Sequence, residues 1–191
     1  LRHVAPECRV DKIVHDLSER SYDEVRGDAT LSQGMAMYVE QGASLAPTAD
    51  KDVAPVMESF FVPWLEGNSG RIGDDRRVVV LQGAAGSGKS MVLRRIEDAL
   101  WRKRQSAVGA SAPVPVLIPL PLLEHDSHDM YVERALERRV SSEQAKVLIG
   151  DSSREFVFLL DGFDELGDKT DKVVSTIVAR WPSAKLIIGC R

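Results

Sequence analysis

"VVVLQGAAGSGKS" (Val78–Ser90) is the stretch on which the reading of this chain turns. Its opening aliphatic residues, three of them valines, have the composition of a buried strand. Its last eight, Gly83–Ser90, comprise three glycines, two alanines, two serines and one lysine. Side chains so small cannot pack a core, so the backbone itself must approach something large. Glycines let successive N–H groups turn inward around a polyanion, and a helix beginning at Lys89 adds favourable partial charge at its N-terminus. The spacing of Gly83, Gly88, Lys89 and Ser90 is a full match to G-x-x-x-x-G-K-S/T, and it lies after a strand pattern and before a helical one. The large object is therefore a nucleoside triphosphate. Lys89 is expected to reach the β- and γ-phosphates as a point charge, and the Ser90 hydroxyl to ligate Mg2+. Gly83, Ala84, Ala85, Gly86, Ser87, Gly88, Lys89, Ser90 and Met91 form the expected nucleotide-contacting set. The bland alternative is a glycine-rich turn that only joins a strand to a helix.

Outward from this loop, the pattern downstream of Arg77 alternates short aliphatic runs with helical stretches. Residues 78–83, 114–120, 155–161 and 185–190 read as strands, apolar on both faces as in a buried parallel sheet. Residues 89–105, 130–149 and 171–181 carry apolar side chains at helical spacing. Strand–helix alternation predicts an α/β fold, a three-layer core with a mostly parallel sheet.

A phosphate cradle alone does not separate kinase, GTPase and ATPase. "FVFLLDGFDEL" (Phe156–Leu166) ends an apolar run on Asp161 and adds Asp164 and Glu165. These carboxylates fall at the C-terminal edge of the sheet, where ligands bind in such folds. Asp161 suits the Walker B task of holding the Mg2+ shell, and Asp164 or Glu165 could orient and deprotonate the attacking water. This strand follows "VPVLIPL" (Val114–Leu120) instead of the cradle's own helix, which implies an extra strand inserted between the two, as in ATPases with an added catalytic acid. "DELG" (164–167) and "DKTD" (168–171) resemble GTPase signals, but they touch in sequence, and a base-reading loop belongs on a later strand. "DKTD" is read instead as the cap and first turn of the next helix.

"VVVLQGAAGSGKS", "FVFLLDGFDEL" and "LIIGCR" (Leu186–Arg191) together resemble the NACHT family of signal-transducing P-loop NTPases, the STAND-type relatives of AAA+ ATPases that include NOD-like receptors. The DGxDE form of Walker B is the most specific part, and the resemblance covers roughly Val78–Arg191. It implies ATP or ADP and Mg2+ as ligands, with slow hydrolysis coupled to a conformational and oligomerisation switch in a larger protein. It further implies that Arg191 reports on the γ-phosphate, although Gly189 and Cys190 stand where the family has a Thr-Ser pair. The plain reading of Arg191 is a surface arginine. "MAMYVEQG" (Met35–Gly42) could carry the family's Tyr-Val pair near adenine, or Tyr38 and Val39 could be packing residues. The family's following subdomain and a fifth strand are not in this sequence.

The remaining 1–70 segment reads as a helical and linker region, with a boundary near Gly70 and the NTPase core at 71–191. Val10, Ile13, Val14 and Leu17 predict an amphipathic helix over 11–20, and Phe60, Phe61 and Trp64 are expected to pack this segment onto the sheet. A net charge of −4 over 191 residues gives no bulk pull toward nucleic acid or anionic membrane, so none is expected as a partner. No apolar run is long enough to span a bilayer. Two distant cysteines, Cys8 and Cys190, fit neither a disulfide framework nor a zinc site, which suggests a cytoplasmic setting. The chain opens on Leu1, so a longer parent with effector or sensor domains and self-association is expected. "EHDSHD" (Glu124–Asp129) is read as a polar connection, and the basic "RRIEDALWRKRQ" (Arg94–Gln105) as a solvated helix end, with Trp101 on the apolar stripe. The rival functions are a structural nucleotide-binding module without turnover, a P-loop phosphotransferase and a GTPase.

Overall fold

Four parallel strands form the centre of the molecule: β1 (Val78–Gln82), β2 (Val114–Pro119), β3 (Phe156–Asp161) and β4 (Lys185–Cys190). The computed structural model describes residues 6–28, 33, 42–43, 54–55, 57–65, 76–106, 112–123 and 125–191. Sheet order is β1-β4-β3-β2. One strand does separate β1 from β3, but it is β4, and "VPVLIPL" lies at the far edge. The crossover from β1 skips two positions, and the next two strands fill inward, each beside its predecessor. Register is tight, with Val78 opposite Leu186 and Phe158 opposite both Val116 and Leu186.

Helices cover both faces, as the aliphatic strands require. On one face α2 (Lys89–Ser106) packs Val92, Leu93, Ile96 and Leu100 against Leu117, Val157, Leu159 and Ile187. Phe60, Phe61 and Trp64 join the same cluster, so the segment before β1 does dock on the sheet. Trp64 is fixed there by Nε1 donating to the Arg76 carbonyl at 2.7 Å, and Lys185 lies over its ring. The alternate residues Phe156, Phe158 and Leu160 face the opposite layer, built from α3 (Tyr131–Glu137), α4 (Ser142–Ile149) and α5 (Thr170–Arg180). Phe156 stacks on Phe158 at 5.4 Å, and Trp181 leans on Phe158 at 5.1 Å.

Several local expectations change. β1 is covered on one face only among the described residues: Val78 and Val80 are exposed, whereas Val79 and Leu81 pack inward. The helix expected over 130–149 is broken between Glu137 and Ser142. Ser141 starts a new helix there, its hydroxyl accepting from the Gln144 N–H while Gln144 returns the bond to the Ser141 N–H. The helix over 11–20 is longer, α1 (Pro6–Gly27), and Val10, Ile13, Val14 and Leu17 join the main core.

α1 is also tied down by charge. Glu24 meets Arg94 of α2 at 3.0 Å and Arg139 at 2.7 Å. Arg139 continues to Glu97, which is 1% exposed, and Glu97 lies 3.5 Å from Arg94. Two carboxylates and two guanidiniums thus alternate around a closed ring joining α1, α2 and the α3–α4 corner. Burial would weaken the hold of Arg139 on its proton, but Glu97 and then Glu24 outweigh it and raise its pKa. The "basic" face of α2 is accordingly not free: Arg102 also pairs with Asp98, and Trp101 is buried.

Candidate functional site

Beyond Gln82 the chain leaves the sheet and turns. Gly86 and Gly88 take φ of +74° and +86°, and a Cβ at either would meet nothing within 4 Å, so the backbone conformation and not crowding calls for glycine. Ser87 N–H donates to the Ala84 carbonyl at 3.2 Å, and Val92 N–H to Gly88 at 3.0 Å, which opens the hydrogen-bond ladder of α2. The ammonium of Lys89 sits across the loop, donating to the carbonyls of Gly83 at 2.7 Å and Ala84 at 2.8 Å. Ala84, Ala85, Gly86 and Ser87 are solvent-exposed, and Met91 is half-buried in the first turn of α2.

Ser90 follows on α2, and its hydroxyl donates to Asp161 Oδ1 at 3.0 Å. Asp161 ends β3, level with Pro119 of β2. The chain then reverses at Gly162 (φ +74°) into a 3-10 helix, Phe163–Lys169, which carries Asp164 and Glu165 into solvent and kinks at Gly167 before α5. The segment 168–171 therefore runs from this 3-10 helix into the first turn of α5, as its reading as a helix start expects.

Arg191 follows β4 and meets this acidic loop. Its Nε lies 2.9 Å from Asp164 Oδ2 and its Nη2 3.7 Å from Glu165 Oε1. Lys89, Ser90, Asp161, Asp164, Glu165 and Arg191 are thus gathered at one edge of the sheet, beyond the carboxyl ends of the strands. Tyr38 and Val39 lie outside the described residues. Cys190 is half-buried beside this group. Burial chiefly, and then the charge of Asp164, push its thiol pKa up, with Lys89 opposing.

The donor set suits a polyphosphate and a hard cation. An ammonium crosses a glycine-rich turn at a helix N-terminus, and a hydroxyl and a carboxylate oxygen, both hard ligands, already lie within hydrogen-bonding distance. Two contributors escaped the motifs. Gln82 Nε2 donates to the Arg191 carbonyl at 3.4 Å, and Pro121 packs on Gly162. The only sequence signal for either was its place at the end of a strand.

The family model described as the NACHT domain matches residues 77–191, well over half of the chain and all four strands. The chain belongs to the NACHT family. As a NACHT domain it is a P-loop NTPase unit that binds nucleotide, and its parallel sheet with helices on both faces is consistent with the α/β fold of such units. α1 and the Phe60–Trp64 cluster precede the matched region yet pack on it. No curated protein and no solved structure matches the chain. No described helix is long and apolar enough to cross a membrane. In "EHDSHD", Asp126 pairs with Arg134, and Asp129 accepts from Ser127.

Proposed function

We propose that this NACHT domain binds Mg-ATP, hydrolyses it slowly, and uses the ATP or ADP state to switch a larger protein between closed and self-associated forms in the cytoplasm. The NTPase unit is residues 71–191, with 1–70 as the segment that leads into it. One observation carries the reading: Ser90 Oγ stands 3.0 Å from Asp161 Oδ1, so the first turn of the phosphate-loop helix and the end of the acidic strand converge on one point.

Each residue then has a task. The backbone of Gly83–Gly88 would surround the phosphates, with Lys89 moving from its loop carbonyls to the β- and γ-oxygens. Ser90 and Asp161 would hold Mg2+, which when bound neutralises charge on the phosphate oxygens. Asp164 or Glu165 would orient water and accept its proton, and Arg191 would meet the γ-phosphate. A switch requires different contacts with ATP and ADP, and the γ-phosphate contact of Arg191 is one that ADP cannot make.

Calorimetric titration of the chain with ATP, ADP and GTP in Mg2+, repeated on Lys89→Ala, tests this. Adenine-preferring binding that disappears in the variant is the expected result. Equal binding by folded wild type and variant would overturn the assignment.

A further inference from the structure

Both oxygens of Asp164 are engaged by one residue. Oδ1 accepts the backbone N–H of Arg191 at 3.1 Å, and Oδ2 lies 2.9 Å from its Nε. On the other side the Arg191 carbonyl accepts from Gln82 Nε2 at 3.4 Å, and the carbonyl of Cys190 accepts from Gly83 N–H at 3.2 Å. The end of β4 is therefore stitched to the mouth of the phosphate loop by two hydrogen bonds and to the acidic loop by one hydrogen bond and an ion pair. Glu165 differs. Its carboxylate makes no hydrogen bond among the described residues, and its approach to Arg191, 3.7 Å, is beyond hydrogen-bonding reach.

The Arg191 side chain is 59% exposed, and an exposed ion pair adds little to stability. What the contact changes is geometry. A free arginine samples many rotamers, and docking it on a phosphate costs that freedom. Gripping it at Nε, with its own backbone held by the same carboxylate, fixes the side chain while leaving Nη1 without a hydrogen bond among the described residues. A fork oriented in advance meets a phosphate with less entropy to lose.

We propose that Asp164 is a positioning residue that acts through Arg191, orienting it for the γ-phosphate, and that the carboxylate left to activate water is Glu165. This rests on the proposed ATP site. It separates two acids that the DGFDEL motif leaves equivalent, and it makes Asp164 a determinant of ATP-over-ADP preference.

A double-mutant cycle on the full chain tests it, with wild type, Asp164→Asn, Arg191→Ala and the double variant. ATP and ADP affinities are measured by calorimetry, and phosphate release under single turnover. Each single variant should lower the ATP-over-ADP preference by a similar factor, about 10-fold, with ADP affinity unchanged and the double variant no worse than either single. Glu165→Gln should stop phosphate release yet keep the preference. Arg191→Lys should not restore it, because an ammonium lacks the Nε–Nη fork. Multiplying losses in the double variant would overturn the proposal, as would an Asp164→Asn protein that keeps its ATP preference while phosphate release stops. If wild-type binding does not depend on Lys89, the ATP site fails and this inference fails with it. Lysine-dependent binding with an additive cycle removes this inference alone.

Discussion

Pro121 presses on Gly162 so closely that a Cβ on the glycine would sit 2.7 Å from Pro121 Cγ and 2.8 Å from its Cδ. The "LPLL" turn after β2 (Leu120–Leu123) thus buttresses the reversal from which Asp164 and Glu165 project. Gly162→Ala adds a left-handed penalty to this clash and should cost about 2–3 kcal/mol in urea unfolding. Pro121→Ala in the same chain should recover the steric share but not the backbone share. A double variant as stable as wild type would show that φ at Gly162 is not held at +74°.

The Ser90–Asp161 pair predicts a dependence on metal. Ser90→Ala and Asp161→Asn should each weaken ATP binding in Mg2+ by roughly 10-fold or more, and much less in EDTA, since the phosphate loop is untouched. Equal losses with and without Mg2+ would instead point to damage to the loop.

The ring of Glu24, Arg94, Glu97 and Arg139 has a buried side and an exposed side. Arg139→Ala removes the nearest cation from a carboxylate that is 1% exposed, and should cost about 3–5 kcal/mol. Glu24 is 39% exposed, so Glu24→Gln should cost no more than about 1 kcal/mol. Denaturant midpoints of the two variants measure the contrast, and similar losses would mean that the ring is not polarised in this way.

Glu24 also sets a direction with pH. Burial would raise its carboxyl, but Arg139 and Arg94 outweigh burial and hold it below the ordinary glutamate value. A depressed folded pKa contributes stability that is complete above the unfolded pKa, about 4.3, and is lost as pH falls through the folded value. Wild type should therefore lose more of its melting temperature below about pH 4.3 than Glu24→Gln does. Parallel acid profiles would remove Glu24 from the account.

What could be read beforehand was what is local in the chain. The strands at 78–83 and 185–190 and the cradle between Gly83 and Ser90 are carried by aliphatic runs and glycine spacing. The two strands appear as expected, to within a residue at their ends, and the glycine-rich turn lies between the first of them and α2. Sheet order was less legible, because adjacency in sequence put "VPVLIPL" beside the cradle and only the crossovers move it to the edge. The break before Ser142 was legible in "SSEQ", but the apolar periodicity of 130–149 masked it. The charge ring was not legible at all. Glu97 and Arg139 look like ordinary surface charges of helices, and Glu24 lies 115 residues from its partner Arg139. The Arg191–Asp164 grip depends equally on tertiary structure, since nothing in "LIIGCR" names its partner.

The position of β4 has a consequence for synthesis. It is the last of the four strands to leave the ribosome, yet it is the inner strand on which β1 depends, with Val78 to Gln82 pairing with Leu186 to Cys190. β2 and β3 can pair as soon as both have emerged, whereas β1 has no strand neighbour among the described residues until β4 arrives. The nascent chain thus carries an unpaired valine-rich edge from the completion of β1 at Gln82 until β4 begins at Lys185, the kind of segment on which aggregation starts and that chaperones shield. Closing the sheet is a late, long-range step, and its rate is governed by sequence separation more than by the strength of the strands themselves.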